Sequence, residues 1–186
     1  MSEWHPFPKI PRLRREIVIT EKLDGTNASV LVPEDDGLVL QAYSRTRYLA
    51  PGKQTDNYGF AEWVADNHAE LRLLGPGIHF GEWWGKGINR GYGLNERRFS
   101  LFNVGRWNTE NVPSCCHVVP QYAIRGGIMG DATVAWALDS LRFKGSWASP
   151  GFMNPEGVIV YHTAGKHYYK VTLENDEQWK GNNAPA

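Results

Sequence analysis

A chain of 186 residues, 41% hydrophobic and 22% charged, is long enough to bury its own core and is neither collagen-like nor low-complexity. Its 20 Lys and Arg balance its 20 Asp and Glu, so any contact with nucleic acid has to come from a local patch rather than from bulk charge. No apolar run approaches the ~20 residues that cross a bilayer, and residues 1–15 lack the apolar stretch of a signal peptide. Cys115 and Cys116 are adjacent, a spacing that suits neither a disulfide nor a zinc site, and a reducing, cytoplasmic setting is expected.

The first fifteen residues hold three prolines and the cations Lys9, Arg12, Arg14 and Arg15, and read as an extended basic arm. Residues 16–20 are β-branched enough for a strand. Segments 27–32 and 38–44 flank Pro33-Glu34-Asp35-Asp36-Gly37 and read as a hairpin. The spacing of Phe60, Val64, Leu71 and Leu74 predicts a helix over 58–74, ended by Gly75-Pro76-Gly77. Strands are expected at 78–84 and 99–104. Asp131 is expected to cap a second helix with Val134, Leu138 and Leu141 on one face. Strands at 157–162 and 168–173 precede a polar tail. Strands interrupted irregularly by helices indicate an α+β fold with antiparallel sheets. No linker or repeat divides the chain, so one domain is expected.

Chemistry concentrates at strand ends. In Glu21-Lys22-Leu23-Asp24-Gly25-Thr26-Asn27 a lysine just past a strand is followed by a polar run, with Gly25 allowing close approach of a ligand. Glu82 sits between glycines in the apolar Phe80-Gly81-Glu82-Trp83-Trp84-Gly85, and Glu156 opens Glu156-Gly157-Val158-Ile159-Val160. Lys170 lies inside a strand, where it needs an anion. Each of these alone is better explained by an ordinary ion pair or a snorkelling side chain. Two lysines and two carboxylates together suit a polyanionic, metal-bearing ligand such as a nucleoside triphosphate.

The ordered series K-L-D-G-T-N, S-R, F-G-E-W, F-S-L-F-N-V, E-G-V-I-V and Y-K-V resembles motifs I, Ia, III, IIIa, IV and V of the covalent nucleotidyltransferase superfamily. The G-T-N extension and the run Gly85-Lys86-Gly87-Ile88-Asn89-Arg90-Gly91-Tyr92-Gly93 resemble the ATP-dependent RNA ligase branch typified by bacteriophage T4 RNA ligase 2 and the trypanosome editing ligases. The resemblance runs from about Glu21 to Lys170.

It implies that Lys22 attacks the α-phosphate of ATP and holds AMP as a phosphoramidate, with Lys170 neutralising that phosphate. Glu156 would bind Mg2+ or Mn2+, Glu82 the nucleotide sugar, and Phe102 would stack on the base. Thr26 and Asn27 would position the phosphates and the metal's water shell, with Asp24 and Gly25 among the nucleotide-binding residues. Glu21 lies where the family reads adenine partly through the backbone. Arg45 matches the motif Ia arginine, with Arg47 as its alternative. The stretch around Trp83, Trp84 and Tyr92 is a candidate surface for stacking bases, with core packing expected for at least one tryptophan.

The chain departs from the family at motif V, where a second lysine usually stands two residues after the first. Here that residue is Thr172, and Lys180 lies farther on. The expected protein is a minimal adenylyltransferase (RNA ligase) domain over 1–186, without an oligonucleotide-binding or helical C-terminal domain. Its implied substrates are RNA or nicked nucleic-acid ends bearing a 5′-phosphate and a 3′-hydroxyl, with an accessory protein as a candidate replacement for the missing domain. The alternatives are a DNA ligase, a capping-type guanylyltransferase, or a non-catalytic end-binding module that keeps the fold.

Overall fold

The computed structural model describes residues 4–35, 37–122, 130–174 and 176. In chain order the elements are β1 (Ile17–Lys22), β2 (Thr26–Val32), β3 (Gln41–Ser44), β4 (Tyr48–Leu49), α1 (Phe60–Asp66), α2 (His68–Arg72), β5 (Gly77–Gly85), β6 (Arg97–Leu101), β7 (Cys116–Val118), α3 (Asp131–Lys144), β8 (Gly157–His162) and β9 (His167–Thr172). They form a six-stranded sheet in the order β4-β3-β2-β5-β6-β7 and a three-stranded sheet in the order β1-β8-β9. Every pairing is antiparallel except that of β6 with β7, so the α+β expectation holds.

Side-chain alternation gives each sheet one face for the core. In the larger sheet Ala28, Val30, Trp83, Phe99 and Leu101 pack against Phe60, Val64, Leu71 and Leu74. In the smaller one Ile17, Ile19, Val158 and Val160 pack against Ala137, Leu138 and Leu141 of α3. The strands therefore turn Thr20, Lys22, Ile159 and Lys170 to the opposite face. The 105–155 stretch, whose role the sequence left open, supplies β7 at the sheet edge and the expected helix, α3, over the smaller sheet.

Four sequence expectations need correction. The helix expected over 58–74 is two short ones, broken at Asn67, whose φ of −105° and ψ of 19° are not helical. The apolar spacing is unaffected because Phe60, Val64 and Leu71 all still reach the core. The cap of α3 is Gly130, and Asp131 is the first helical residue. The strand expected to Val104 ends at Leu101. Lys22 is the last residue of β1 rather than a residue beyond it.

Gly157 stands in the middle strand of the smaller sheet, opposite both Lys22 and Thr172. Its φ is +155°, and a Cβ there would collide with the Val171 carbonyl and lie 2.8 Å from Thr172 Cα. Gly157→Ala is therefore expected to cost on the order of 3 kcal/mol, read as a lowered urea midpoint. An unchanged midpoint would show that the hairpin accommodates a methyl group. Among the described residues no helix is long and apolar enough to cross a membrane.

Candidate active site

Only residues 23–25 separate β1 from β2, so this short loop crosses from one sheet to the other directly after Lys22. Leu23 anchors it in a buried cluster with Trp84, Tyr92 and Val119. Gly25 presses against β5, where a Cβ would collide with the Trp83 carbonyl and approach Trp84 Cβ to 2.6 Å. The Gly25 amide donates to Glu82 Oε1 at 3.1 Å, and the Asp24 amide donates to the Tyr92 hydroxyl at 2.9 Å. The Asp24 carboxylate accepts from Asn89 Nδ2 at 2.9 Å and from Arg90 Nε at 3.0 Å.

Lys22 Nζ forms an ion pair with Glu156 Oε2, linking the end of β1 to the residue that opens β8. The two side chains are 23% and 15% exposed, so the pair is sheltered yet open to a ligand from the cleft. Glu82 lies on β5 opposite Asn27 of β2. Burial pushes its carboxyl up to about 7, aided by the Glu156 charge and opposed by Lys22, the Gly25 amide and Arg45. Lys22, Glu156, Glu82 and Arg45 thus share one electrostatic neighbourhood. Arg47 does not join it: its guanidinium donates to the carbonyls of Thr55 at 2.8 Å and Asp56 at 3.1 Å.

The other candidates are placed as follows. Lys170 is exposed and sits opposite Ile159, which is opposite Thr20, so it shares the Lys22 face one row away. Thr26 Oγ1 accepts from Asn57 Nδ2 at 2.9 Å. Phe102 is half-buried against the Leu23, Trp84 and Tyr92 cluster. The Glu21 side chain turns away from the cleft and accepts from the amides of Trp147 at 2.7 Å and Ala148 at 2.9 Å. Burial raises its pKa against the pull of these hydrogen bonds. Thr172, in the row of Lys22, donates through Oγ1 to the Glu174 carbonyl at 2.8 Å, and its amide donates to Asp176 Oδ1 at 2.9 Å. Lys180 lies outside the described residues.

The aromatic stretch offers no stacking surface. Trp83 (2%), Trp84 (1%) and Tyr92 (1%) are all buried. Trp83 faces α1, whereas Trp84 packs edge-on to Tyr92 with ring centroids 4.9 Å apart. Trp84 and Tyr92 belong instead to the buried cluster that anchors Leu23, the residue after Lys22.

Sequence reasoning left Asn89, Arg90 and Asn154 without roles. Arg90 holds Asp24 and donates from Nη1 to Asn154 Oδ1 at 2.7 Å and to the Asn154 carbonyl at 3.1 Å. One guanidinium thus ties the loop after Lys22 to the residue two before Glu156. Only the fork geometry of arginine serves both partners at once. Arg90→Ala should cost about 1–3 kcal/mol of stability, and Arg90→Lys should recover little of it. Urea denaturation of the pair checks this, and full recovery by lysine would mean that charge alone matters.

The donor set fits a divalent ion of the magnesium kind. Among the described residues no group of three or more His, Cys, Asp or Glu could cage a metal. The Glu156 carboxylate, partly exposed and already engaging a cation, suits an ion completed by phosphate oxygens and water.

The two sheets meet at the three-residue loop after Lys22, and Lys22, Glu156, Glu82 and Arg45 share one electrostatic neighbourhood beside it. A family model described as RNA ligase matches residues 15–172, and the chain belongs to that family. No curated protein matches it. Among solved structures it is similar to the Naegleria gruberi RNA ligase with PPi, at 19% identity and a TM-score of 0.58, over 84% of this chain and 49% of that one. It is similar also to a mutant of that ligase with ATP and Mn, at 17% identity and a TM-score of 0.59, over 85% and 50%. A mutant with AMP and Mn matches at 18% and 0.58, over 84% and 49%. The chain thus spans about half the length of these structures, and at such identities the likeness shows the fold.

Proposed function

We propose that this chain is the adenylation unit of an ATP-dependent RNA ligase, of the branch typified by T4 RNA ligase 2, that carries AMP on Lys22. The observation that carries the reading is the Lys22–Glu156 pair, set beside the half-buried Glu82 at the end of the strand holding the family's nucleophile motif. Attack needs the free amine, so Lys22 must leave Glu156 and lose a proton to water, which its partial exposure allows. A P–N bond then forms at the α-phosphorus, the bond to the β-phosphate oxygen breaks, and pyrophosphate departs. Lys170, on the same face, offsets the phosphate charge. In this reading Arg45, Glu82, Asn27 and Phe102 hold the sugar, phosphates and base.

A divalent ion held by Glu156 and phosphate oxygens would supply charge neutralisation and orientation of the transferring group. The nucleotide and manganese carried by the Naegleria gruberi structures support ATP with Mg2+ or Mn2+ as cofactors here. In the later steps AMP passes to a 5′-phosphate end, and a 3′-hydroxyl displaces it as the strand is sealed. Thr172 in place of a lysine favours a second reading, an end-binding module that has lost the chemistry.

Incubation with α-labelled ATP or GTP and Mg2+ or Mn2+, beside Lys22→Ala, separates these readings. Label from ATP that survives denaturing electrophoresis and is lost in the variant is the expected result. Label from GTP alone would indicate a capping-type enzyme. No label with either metal would overturn the catalytic reading.

A further inference from the structure

β9 is an outer strand of the smaller sheet, and among the described residues its one neighbour is β8. The other outer strand, β1, is bridged by residues 120–122. Backbone groups alternate in direction along an antiparallel strand. The Leu173 amide donates inward to the Glu156 carbonyl at 2.9 Å, so Val171, Tyr169 and His167 pair with β8 as well. The Thr172 amide turns outward and donates to Asp176 Oδ1 at 2.9 Å. Lys170 and Tyr168 therefore present their amides and carbonyls on the outer edge, and Asp176 closes that edge at Thr172. These groups, unpaired among the described residues, are a template for a short added strand.

The side chains decide which strand fits. Tyr168, 67% exposed, and Lys170 lie on the face of Lys22, and Tyr169, 47% exposed, lies on the opposite one. If β9 is laid antiparallel against a second β9 with the two-fold axis at Lys170, Lys170 meets Lys170. With the axis at Tyr168, Lys170 meets Lys166. With the axis at Tyr169, each Lys170 meets the other copy's Tyr168, and each such pair exchanges both backbone hydrogen bonds. The two Tyr169 rings then meet at the axis, an aromatic cross-strand pair. The same register brings Lys166 of one copy to the row of Thr172 in the other, where Asp176 is held on the edge. Opposite charges meet at the ends and rings at the centre, so the edge is complementary to itself, as a two-fold interface requires.

We infer that two copies of this chain pair edge to edge through β9, with the two-fold axis at Tyr169. Their smaller sheets become one continuous sheet in the order β1-β8-β9-β9-β8-β1. Because Tyr168 and Lys170 share the face of Lys22, each copy's Tyr168 stands beside the other's Lys170. The pairing does not depend on the ligase reading. An edge this short makes a small interface, so the dimer is weak and forms with rising concentration.

The test is sedimentation velocity of the full chain from about 1 μM to about 1 mM, the range of weak association, together with cysteine cross-linking. The mass should rise from that of one chain toward that of two. Tyr169→Lys sets like charges at the axis. Tyr168→Pro removes an outward amide and leaves the ladder to β8 intact. Each should weaken association at least about tenfold, and urea midpoints check that both variants fold. Under mild oxidation with diamide, Tyr169→Cys should give a disulfide-linked dimer and Tyr168→Cys should not. Directly opposed Cα atoms lie about 4.5 Å apart, within reach of a disulfide, whereas offset ones lie beyond about 7 Å. The wild-type chain, with Cys115 and Cys116, is the control. A chain that stays monomeric throughout, a dimer indifferent to both substitutions, or cross-linking through Tyr168→Cys in place of Tyr169→Cys would overturn the pairing.

Discussion

Glu156→Gln should slow adenylylation of Lys22 by at least about 10²-fold while leaving the protein folded. The amide keeps the shape of the side chain and an oxygen to accept from Lys22 Nζ, so the junction of β1 and β8 survives. What disappears is the charge that pairs with the ammonium and, in the proposed reaction, holds the divalent ion. The loss of stability should stay within about 2 kcal/mol, the scale of one charge-assisted hydrogen bond. A second readout follows from the coupling of Glu156 to Glu82. The Glu156 charge helps to raise the Glu82 carboxyl, so removing it should move that carboxyl below about 7. A rate within tenfold of wild type at saturating metal would remove Glu156 from the chemistry.

Glu82→Gln should make the protein more stable at pH 8 and of nearly equal stability near pH 4.5. Burial pushes the folded carboxyl up to about 7, whereas the unfolded chain ionises near 4.5. Between those values the folded state holds a proton that the unfolded state has released. Stability therefore falls as pH rises through this window, and the loss is complete above 7. Its size is on the order of 3 kcal/mol. Glutamine carries no charge to desolvate and keeps an oxygen for the Gly25 amide, so the variant escapes the loss. Adenylylation should fall in the same variant, as expected where a destabilising group is kept for function. Urea unfolding at the two pH values checks the difference, and parallel pH profiles for wild type and variant would contradict it.

Much of the fold was legible because its signals are local. The 27–32 and 38–44 hairpin carries its own turn chemistry, and the strands at 157–162 and 168–173 announce themselves by β-branched and aromatic runs. β4 and β7, of two and three residues, are too short to leave a pattern. Lys22 reads as lying past a strand because Glu21 and Lys22 are polar, yet Glu21 Oε2 is held by the 147 and 148 amides and Lys22 pairs with Glu156. Trp83 and Trp84 belong to a strand covered on both faces, where alternation gives no sign of which ring reaches solvent. Arg90 was invisible because its partners Asp24 and Asn154 lie 66 and 64 residues away. The motif series marked Lys22, Glu82 and Glu156, which the structure brings into one electrostatic neighbourhood. Arg90, which braces them, is a matter of tertiary geometry.

The two sheets are joined by two covalent connections, the long one through α3 and the three residues 23–25. The short connection begins directly after Lys22, and the Arg90 strap fastens it through Asp24 to Asn154, two residues before Glu156. Lys22 and Glu156 are thus moored to one brace, and a change at Arg90 would loosen the spacing between them from both sides at once.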